Sequence, residues 1–168
     1  MEMHPVSAAD RPRLAALLEL YVYDFSEMLA IDVGEDGRFQ PPWQLDPYFA
    51  DDPRAHGFLI RVEGKLAGLA LVKQGSRLSD DATIFDMAEF FVLRRYRRHG
   101  VGERAAGWLF DRFAGIWEVR QTSANTQATA FWRRIIGRRG RFEDLVVDDE
   151  RWHGPVQRFD SRASATST

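Results

Sequence analysis

The segment from residue 87 to 113 constrains the fold of this chain more than any other. It opens with an apolar run, Met87 to Leu93, whose residues suit a buried β-strand. Four arginines and two glycines follow between Arg94 and Gly102, after which apolar residues recur at the spacing of one helix face. The pattern therefore predicts a strand, a short basic turn and an amphipathic helix over about 101–114.

The turn has the chemistry of an anion site. Glycine places no Cβ between its backbone N–H and a ligand, and the first N–H groups of a helix have no internal partner. The helix dipole adds partial positive charge there, so the turn suits a phosphate. It lacks both the lysine of a P-loop and the three spaced glycines of a dinucleotide fingerprint. Its own pattern is Arg97-x-x-Gly100-x-Gly102, and a basic surface turn capped by glycines is the alternative interpretation.

Composition limits the classes of protein that remain. A chain of 168 residues fits one domain, taken as 1–160, with a polar and disordered tail over 161–168. The net charge of −2 argues against nucleic acid, and the absence of cysteine excludes disulfides and thiolate catalysis. No apolar run approaches the roughly 20 residues that span a bilayer, and no signal peptide precedes the first helix. We expect a cytoplasmic protein without membrane contact. His56 and His153 lack metal-ligand spacing, so no metal is predicted.

The remaining elements follow from periodicity and turn signals. Ser7 and Asp10 form a capping box that opens a helix extending to Met28. Residues 32–56 are loop-like but rich in aromatic residues, which favours a folded flap (Phe39, Trp43, Tyr48 and Phe49). The predicted strands are 58–62, 66–72, 83–93, 117–122, 142–147 and 155–159, and a further helix covers 125–136.

This order predicts an α/β domain with a mixed sheet. The strands 84–93 and 117–122 are joined by a helix, so we expect them to be parallel, with a right-handed crossover.

Two motifs in this context resemble the GNAT acetyltransferase superfamily over roughly residues 5–160. The turn is similar to its pyrophosphate loop, and Asn125-x-x-Ala128-x-x-Phe131-Trp132 is similar to its helix after the fifth strand. The resemblance implies the acyl-CoA N-acyltransferase fold, a central and largely antiparallel mixed sheet with a splayed parallel strand pair, flanked by helices. It implies acetyl transfer from acetyl-CoA to an amine. The rest of the sequence is similar to that of a bacterial group of predicted GNAT proteins whose acceptor is undefined.

The resemblance also implies which residues hold coenzyme A. Phe91, Val92 and Leu93 would offer backbone groups to pantetheine, and Asn125 would bind it from the side. The pyrophosphate would be held by Arg97, Arg98, His99, Gly100, Val101, Gly102 and Glu103. Phe131, Trp132 and Arg133 would flank the cofactor.

Glu89 is the predicted general base. It lies on the strand that would carry the acetyl group, and its apolar surroundings partly desolvate the carboxylate. The alternatives are that Glu89 orients a water or pairs with an arginine, and Asp86 is a weaker candidate. Trp132 replaces a tyrosine that in many GNAT enzymes protonates the CoA thiolate, a task that an indole N–H cannot perform. Tyr21 or Tyr23 would then serve, or the thiolate leaves unassisted.

The sequence leaves two other functions open. One is a CoA-binding sensor or interaction module without catalysis. The other is nucleotide binding by the same turn, which the shape of the motif disfavours. The expected acceptor is a small-molecule amine, and homodimer formation is open. Acidic residues in and after the first helix hint at a cationic acceptor, although a solvated face explains them more simply (Asp24, Glu27, Asp32, Glu35 and Asp36).

Overall fold

The computed structural model describes residues 1–39 and 44–162, and its centre is a seven-stranded sheet. The strands are β1 (Glu2–Pro5), β2 (Ala55–Val62), β3 (Lys65–Gln74), β4 (Phe85–Val92), β5 (Ile116–Arg120), β6 (Glu143–Asp148) and β7 (His153–Asp160). The α-helices are α1 (Arg11–Leu29), α2 (Val101–Arg112) and α3 (Thr126–Gly137). Part of the predicted flap, residues 40–43 with Trp43, and most of the predicted tail, 163–168, lie outside the described residues.

The sheet order is β1-β2-β3-β4-β5-β7-β6, and only the β4–β5 contact is parallel. Helix α1 packs its leucines on one face of the sheet, against Leu69, Leu71 and Phe91. Helices α2 and α3 cover the other face, where Phe110 and Trp132 pack with the fully buried Trp117. The predicted mixed sheet flanked by helices is confirmed.

Local chemistry accounts for the ends of these elements. The Asp10 carboxylate accepts hydrogen bonds from the backbone N–H and the hydroxyl of Ser7, at 3.0 and 2.8 Å, just before α1. The β2–β3 hairpin turns through Glu63 and Gly64, both with positive φ, 51° and 73°. Two successive residues of positive φ match the twist of the flanking strands.

The strands β4 and β5 separate soon after they meet. Only Phe85 pairs with Trp117 and Asp86 with Glu118, whereas β4 continues for six more residues, to Val92. Beyond Asp86, one edge of β4 therefore faces a gap instead of a neighbouring strand. The splayed parallel pair is confirmed.

A β-bulge lies in β4 where the gap opens. Leu71 of β3 pairs with Glu89 and Val72 pairs with Met87, so Ala88 is an extra residue in β4. Side chains alternate between faces along a strand, and strict alternation would put Glu89 on the face of Met87, in the core of α2 and α3. The bulge moves Glu89 to the face of α1 instead.

The two ends of the chain differ from the sequence prediction. The chain begins with β1, which pairs with β2 from Glu2↔Arg61 to Pro5↔Phe58 and which no periodicity in four residues could indicate. Ser161, assigned to the tail, is buried, and its Oγ accepts a hydrogen bond from the Gly115 N–H at 3.0 Å. The packed structure thus extends past the predicted end at residue 160.

Candidate active site

A cavity of about 650 Å³ occupies the gap between β4 and β5. Its floor is β4 from Asp86 to Phe90 together with the end of β5, and α1 and the 3₁₀ turn Asp46–Tyr48 form one wall. The start of α3 and the β6–β7 turn close the opposite side. The cavity therefore collects polar side chains from several elements around the exposed edge of β4.

Glu89 lies in this cavity and has Tyr21 of α1 as its neighbour. The Tyr21 hydroxyl donates a hydrogen bond to the Glu89 carboxylate. Burial raises the pKa of Tyr21 well above its ordinary value, and the negative charge and hydrogen bond of Glu89 raise it further. The phenol therefore stays protonated and acts as the donor in this hydrogen bond.

Asp86 is engaged in a buried ion pair. Its two carboxylate oxygens accept hydrogen bonds from Nε and Nη2 of Arg120, at 3.0 and 2.7 Å, and both side chains are less than a tenth exposed. The Arg120 guanidinium also lies 4.5 Å from the centroid of the Trp152 ring. A carboxylate held on both oxygens is a poor proton acceptor, so the weaker base candidate of the sequence is disfavoured.

Tyr48 stands on the same wall as Tyr21. Burial raises the pKa of its phenol strongly, and the carboxylates of Glu89 and Asp86 add to the effect. Nζ of Lys73 lies 5.7 Å from the centroid of the Tyr48 ring. Tyr23 is 62% exposed and lies outside the cavity lining, so it is not positioned to protonate a leaving group there.

Three buried polar atoms on the cavity wall lack a hydrogen-bond partner within the described residues: Gln121 Oε1, Thr122 Oγ1 and Trp152 Nε1. A buried polar atom without a partner costs free energy, and such atoms in a cavity are those that a ligand satisfies. Gln121 and Thr122 directly follow β5, on the far side of the gap from Glu89. The wall therefore offers both an acceptor and donors to a bound molecule.

The glycine turn has the geometry that the sequence indicates. Arg98 and Gly100 have positive φ, 63° and 72°, and α2 begins at Val101. A Cβ on Gly102 would lie 3.2 Å from Cζ of Phe131. The Gly102 position is therefore set partly by packing against α3, whereas Gly100 is exposed.

Arg97 forms several contacts with the protein, although its side chain is 40% exposed. Its Nε donates to the Val92 carbonyl at 2.7 Å, its Nη2 pairs with Asp24 of α1, and its guanidinium lies 5.5 Å from the centroid of Phe91. In this structure Arg97 ties the turn to α1. Its predicted contact with a phosphate stays a prediction and requires these bonds to rearrange.

The backbone of β4 presents alternate residues to the gap. The Leu93 N–H donates to Ala67 of β3 at 2.8 Å, so Phe91 and Leu93 direct their backbone groups toward β3. Phe90 and Val92 direct theirs into the gap. Of the three residues predicted to offer backbone to pantetheine, only Val92 faces the gap, as Phe90 also does, and the Val92 carbonyl is occupied by Arg97 Nε, which leaves its N–H.

The second motif lies beside the cavity. Asn125 caps α3, with its Oδ1 accepting from the Ala128 N–H at 3.0 Å, and its predicted contact with pantetheine, which would use the side-chain NH₂, stays a prediction. Trp132 lines the cavity but is only 5% exposed, packed 5.0 Å from Phe90. Arg133 pairs with Asp144 at 2.8 Å on the surface.

The other residues predicted to hold the pyrophosphate lie in different environments. Glu103 pairs with Arg138 at 2.6 Å. Val101 is buried in the core, so it can offer only its backbone, and Arg98 and His99 are exposed.

Sequence reasoning missed Arg120, Gln121, Thr122 and Trp152. The first three follow one another at the carboxyl end of a predicted parallel strand, the edge at which sites gather in α/β sheets, so a signal existed. Trp152 comes from the β6–β7 turn, and nothing in its neighbours indicates that it reaches the cavity.

No group of three or more His, Cys, Asp or Glu residues in ranges 1–39 and 44–162 is placed to hold a metal ion. None of the helices in that part of the chain is long and apolar enough to cross a membrane.

Comparisons with known proteins agree with this geometry. The model of the acetyltransferase (GNAT) family matches residues 14–137. Similar solved structures include an acetyltransferase from Thermus thermophilus, with 17% identity, a TM-score of 0.65 and 94% of each chain covered. A variant of the spermidine N-acetyltransferase SpeG from Vibrio cholerae has 10% identity and a TM-score of 0.64, covering 99% of this chain and 98% of that one.

An aminoglycoside acetyltransferase in complex with coenzyme A and kanamycin has 13% identity and a TM-score of 0.65, covering 96% of this chain and 95% of that one. A search of the curated proteins found no match. At such low identities the solved structures show a shared fold, while the family model covers most of the chain and confirms the predicted family. The chain therefore belongs to the GNAT family of acetyltransferases and is an acyltransferase.

Proposed function

We propose that this protein transfers an acetyl group from acetyl-CoA to the amine of a small molecule bound in the cavity. The observation that carries the proposal is the position of Glu89. The bulge in β4 turns its carboxylate into the cavity at the point where β4 and β5 separate. Family membership supports the use of acetyl-CoA.

The residues of the gap and the turn fit coenzyme A. Backbone groups of Phe90 and Val92 face the gap, and the amide N–H groups of the turn and of the first residues of α2 point outward from a helix start. On the opposite wall, Gln121 Oε1 is a buried acceptor that has no partner among the described residues. These groups would hold the pantetheine and pyrophosphate, and the thioester supplies an acyl carbon that is open to attack by an amine.

Glu89 would take the proton of the attacking amine. An amine attacks only as its free base, so a carboxylate in the cavity assists by accepting the proton, directly or through one water. Tyr21 fixes the direction of this carboxylate through the hydrogen bond that it donates. The function of α1 in the site is thus to orient the base.

No tyrosine occupies the position of Trp132, so the thiolate would need another donor. Tyr21 donates its hydrogen bond to Glu89, whereas Thr122 Oγ1 is buried on the cavity wall without a partner among the described residues. The Thr122 hydroxyl can donate a hydrogen bond to a developing negative charge, which stabilises it without complete proton transfer.

The proposal is tested in two steps. Acetyl-CoA should raise the melting temperature and ATP should not, because binding to the native state alone stabilises it by mass action. Thioester cleavage is then followed with a panel of amines, and the acetylated products are identified by mass. Binding without turnover of any amine would favour a CoA-binding module, and equal stabilisation by ATP would contradict the CoA assignment.

A further inference from the structure

The charged groups on the cavity wall are not balanced. Three cations, Lys73, Arg77 and Arg120, face two carboxylates, Asp86 and Glu89. Asp86 and Arg120 neutralise each other through their two hydrogen bonds. Neither Lys73 nor Arg77 forms an ion pair with another of the described residues, and residues 40–43, Gln-Pro-Pro-Trp, carry no charge. One carboxylate, Glu89, therefore shares the cavity lining with two exposed cations that pair with none of the described carboxylates.

The two cations lie at one end of the cavity. Lys73 pairs with Asp86 in the β3–β4 register, and its contact with Tyr48 places it on the α1 face. Leu71, the partner of Glu89, is two residues earlier on β3, which separates Lys73 from Glu89 by about 7 Å along the strand. Arg77 follows β3 in the next loop. The cavity thus has a carboxylate at one position and a positive end nearby.

The positive end is accompanied by an unsatisfied donor. Trp152 Nε1 is buried on the cavity wall without a partner among the described residues. Its ring is held by the stacked Arg120, whose own position is fixed by Asp86. Two cations and an indole N–H together suit an anionic oxygen group, because charge-assisted hydrogen bonds to carboxylates are the strong ones.

Part of the wall contributed by α1 and the segment after it is apolar. It consists of Val22, Phe25, Leu29, Ile31 and Phe39, whereas Tyr21, which bonds Glu89, and Gln44 are polar residues of the same lining. The apolar part suits an aliphatic or aromatic group.

From these three features we infer that the acceptor is a small aminocarboxylate with an apolar body, of the kind represented by hydrophobic amino acids. Its amine would lie at Glu89, its carboxylate at Lys73, Arg77 and Trp152, and its apolar part against α1. This inference rests on the proposed acetyl transfer and adds the class of acceptor. A polycation such as a polyamine would bring further positive charge toward Lys73 and Arg77.

The acidic residues that suggested a cationic acceptor do not face the cavity. Asp24 is paired with Arg94 at 2.8 Å and with Arg97, and Glu27 lies 4.0 Å from Arg94. Asp32, Glu35 and Asp36 are absent from the lining. The solvated-face explanation of these residues is therefore the better one.

The test compares acceptors that differ only in the carboxylate. Phenylalanine is paired with phenethylamine and leucine with isopentylamine, with spermidine and kanamycin as polycations. We expect kcat/KM for each amino acid to exceed that of its decarboxylated partner by about ten- to a hundredfold, the range typical of hydrogen bonds to a charged group. Acetylation of the simple amines or polycations in preference to the amino acids would overturn this inference and leave acetyl transfer intact.

Charge reversal then locates the carboxylate. Lys73→Glu and Arg77→Glu should each lower the ratio of kcat/KM between an amino acid and its decarboxylated partner by about tenfold or more. Lys65→Glu, at the other end of β3 and exposed, is the matched control and should leave the ratio unchanged. A melting curve for each variant checks the fold, and Lys73→Gln and Arg77→Gln give the milder change. An unchanged ratio in all four cavity variants would overturn the inference, and failure to acetylate any amine would overturn the proposed function with it.

Discussion

Glu89 and Tyr21 belong to elements that are far apart in the chain, yet they share one hydrogen bond inside the cavity. Neither residue is unusual in its own segment: Tyr21 lies on the apolar face of α1, and its ring meets that of Phe25 edge to face, with the centroids 4.7 Å apart, as in a core residue. The Tyr21 hydroxyl lies at the cavity, where its hydrogen bond connects α1 to the base, Glu89. Tyr21 is thus both a packing residue and a positioning residue.

At this scale the first prediction is that Glu89→Gln lowers kcat by about 10²- to 10⁴-fold, the usual loss for one general base. Glutamine keeps the shape of the side chain and a hydrogen-bond acceptor for Tyr21, but it cannot take a proton. The acidic limb of the pH–rate profile should disappear, while acetyl-CoA still raises the melting temperature. A loss below about tenfold with the limb retained would assign proton removal to another group or to a water chain.

Among the elements, the strand–turn–helix unit of β4 and α2 is the part that sequence predicts best. Its two periodicities and its glycines are local signals, and they indicate the correct order and nearly the correct bounds. The bulge at Ala88 is not a local signal, because it depends on how β3 pairs. Sequence placed Glu89 on the correct strand, but only the pairing shows which face it occupies.

The same limit applies to side chains whose contacts come from distant segments of the chain. Arg97 fits the motif position, but its actual contacts come from Asp24, 73 residues earlier in the chain. Trp152 reaches the cavity because the β6–β7 hairpin folds back beside β5. Contacts between distant segments decide such features, and a single sequence carries no periodicity that reports them.

The turn gives a prediction at the same scale, with a matched control inside the chain. Gly100 and Gly64 have nearly the same φ, 72° and 73°, in two different turns. Valine at either position should cost about 1–3 kcal/mol, because a side chain is strained in the left-handed region. Only Gly100→Val should also abolish the stabilisation by acetyl-CoA, since its Cβ blocks the backbone approach to the pyrophosphate.

Thermal melting of both variants with and without acetyl-CoA makes the comparison. Equal responses to the ligand would place the phosphate site elsewhere. Gly102 is less suitable for this test, because a Cβ there would press on the packed ring of Phe131, whereas a Cβ on Gly100 would meet only the flexible end of Arg104, at 2.9 Å.

For the whole molecule, the buried phenols predict how stability depends on pH. The pKa values of Tyr21 and Tyr48 are raised in the folded protein, whereas in the unfolded chain both groups titrate near pH 10. Below pH 10 both states keep the protons and stability is unaffected. Above it only the unfolded chain releases them, so the free energy of unfolding falls by up to about 1.4 kcal/mol per pH unit for each phenol.

Urea unfolding between pH 8 and 11 measures this slope. Tyr48→Phe should reduce it relative to the wild type, whereas Tyr23→Phe, which alters a ring that is 62% exposed, should not. The same slope in all three proteins would show that the phenols do not govern alkaline stability.

The separation of β4 from β5 also has a mechanical consequence. Strands β1–β4 and β5–β7 form two plates that share only two residue pairs, so backbone bonds join them at one end alone. A molecule that spans the opening supplies the hydrogen bonds that are missing between β4 and β5. Part of its binding free energy is then used to make the whole sheet more rigid. Amide hydrogen exchange can detect this: coenzyme A should slow exchange at Phe90 and Val92, which face the opening, more than at Phe91, whose N–H already faces β3. Equal protection of all three would mean that the plates stay apart when the ligand is bound.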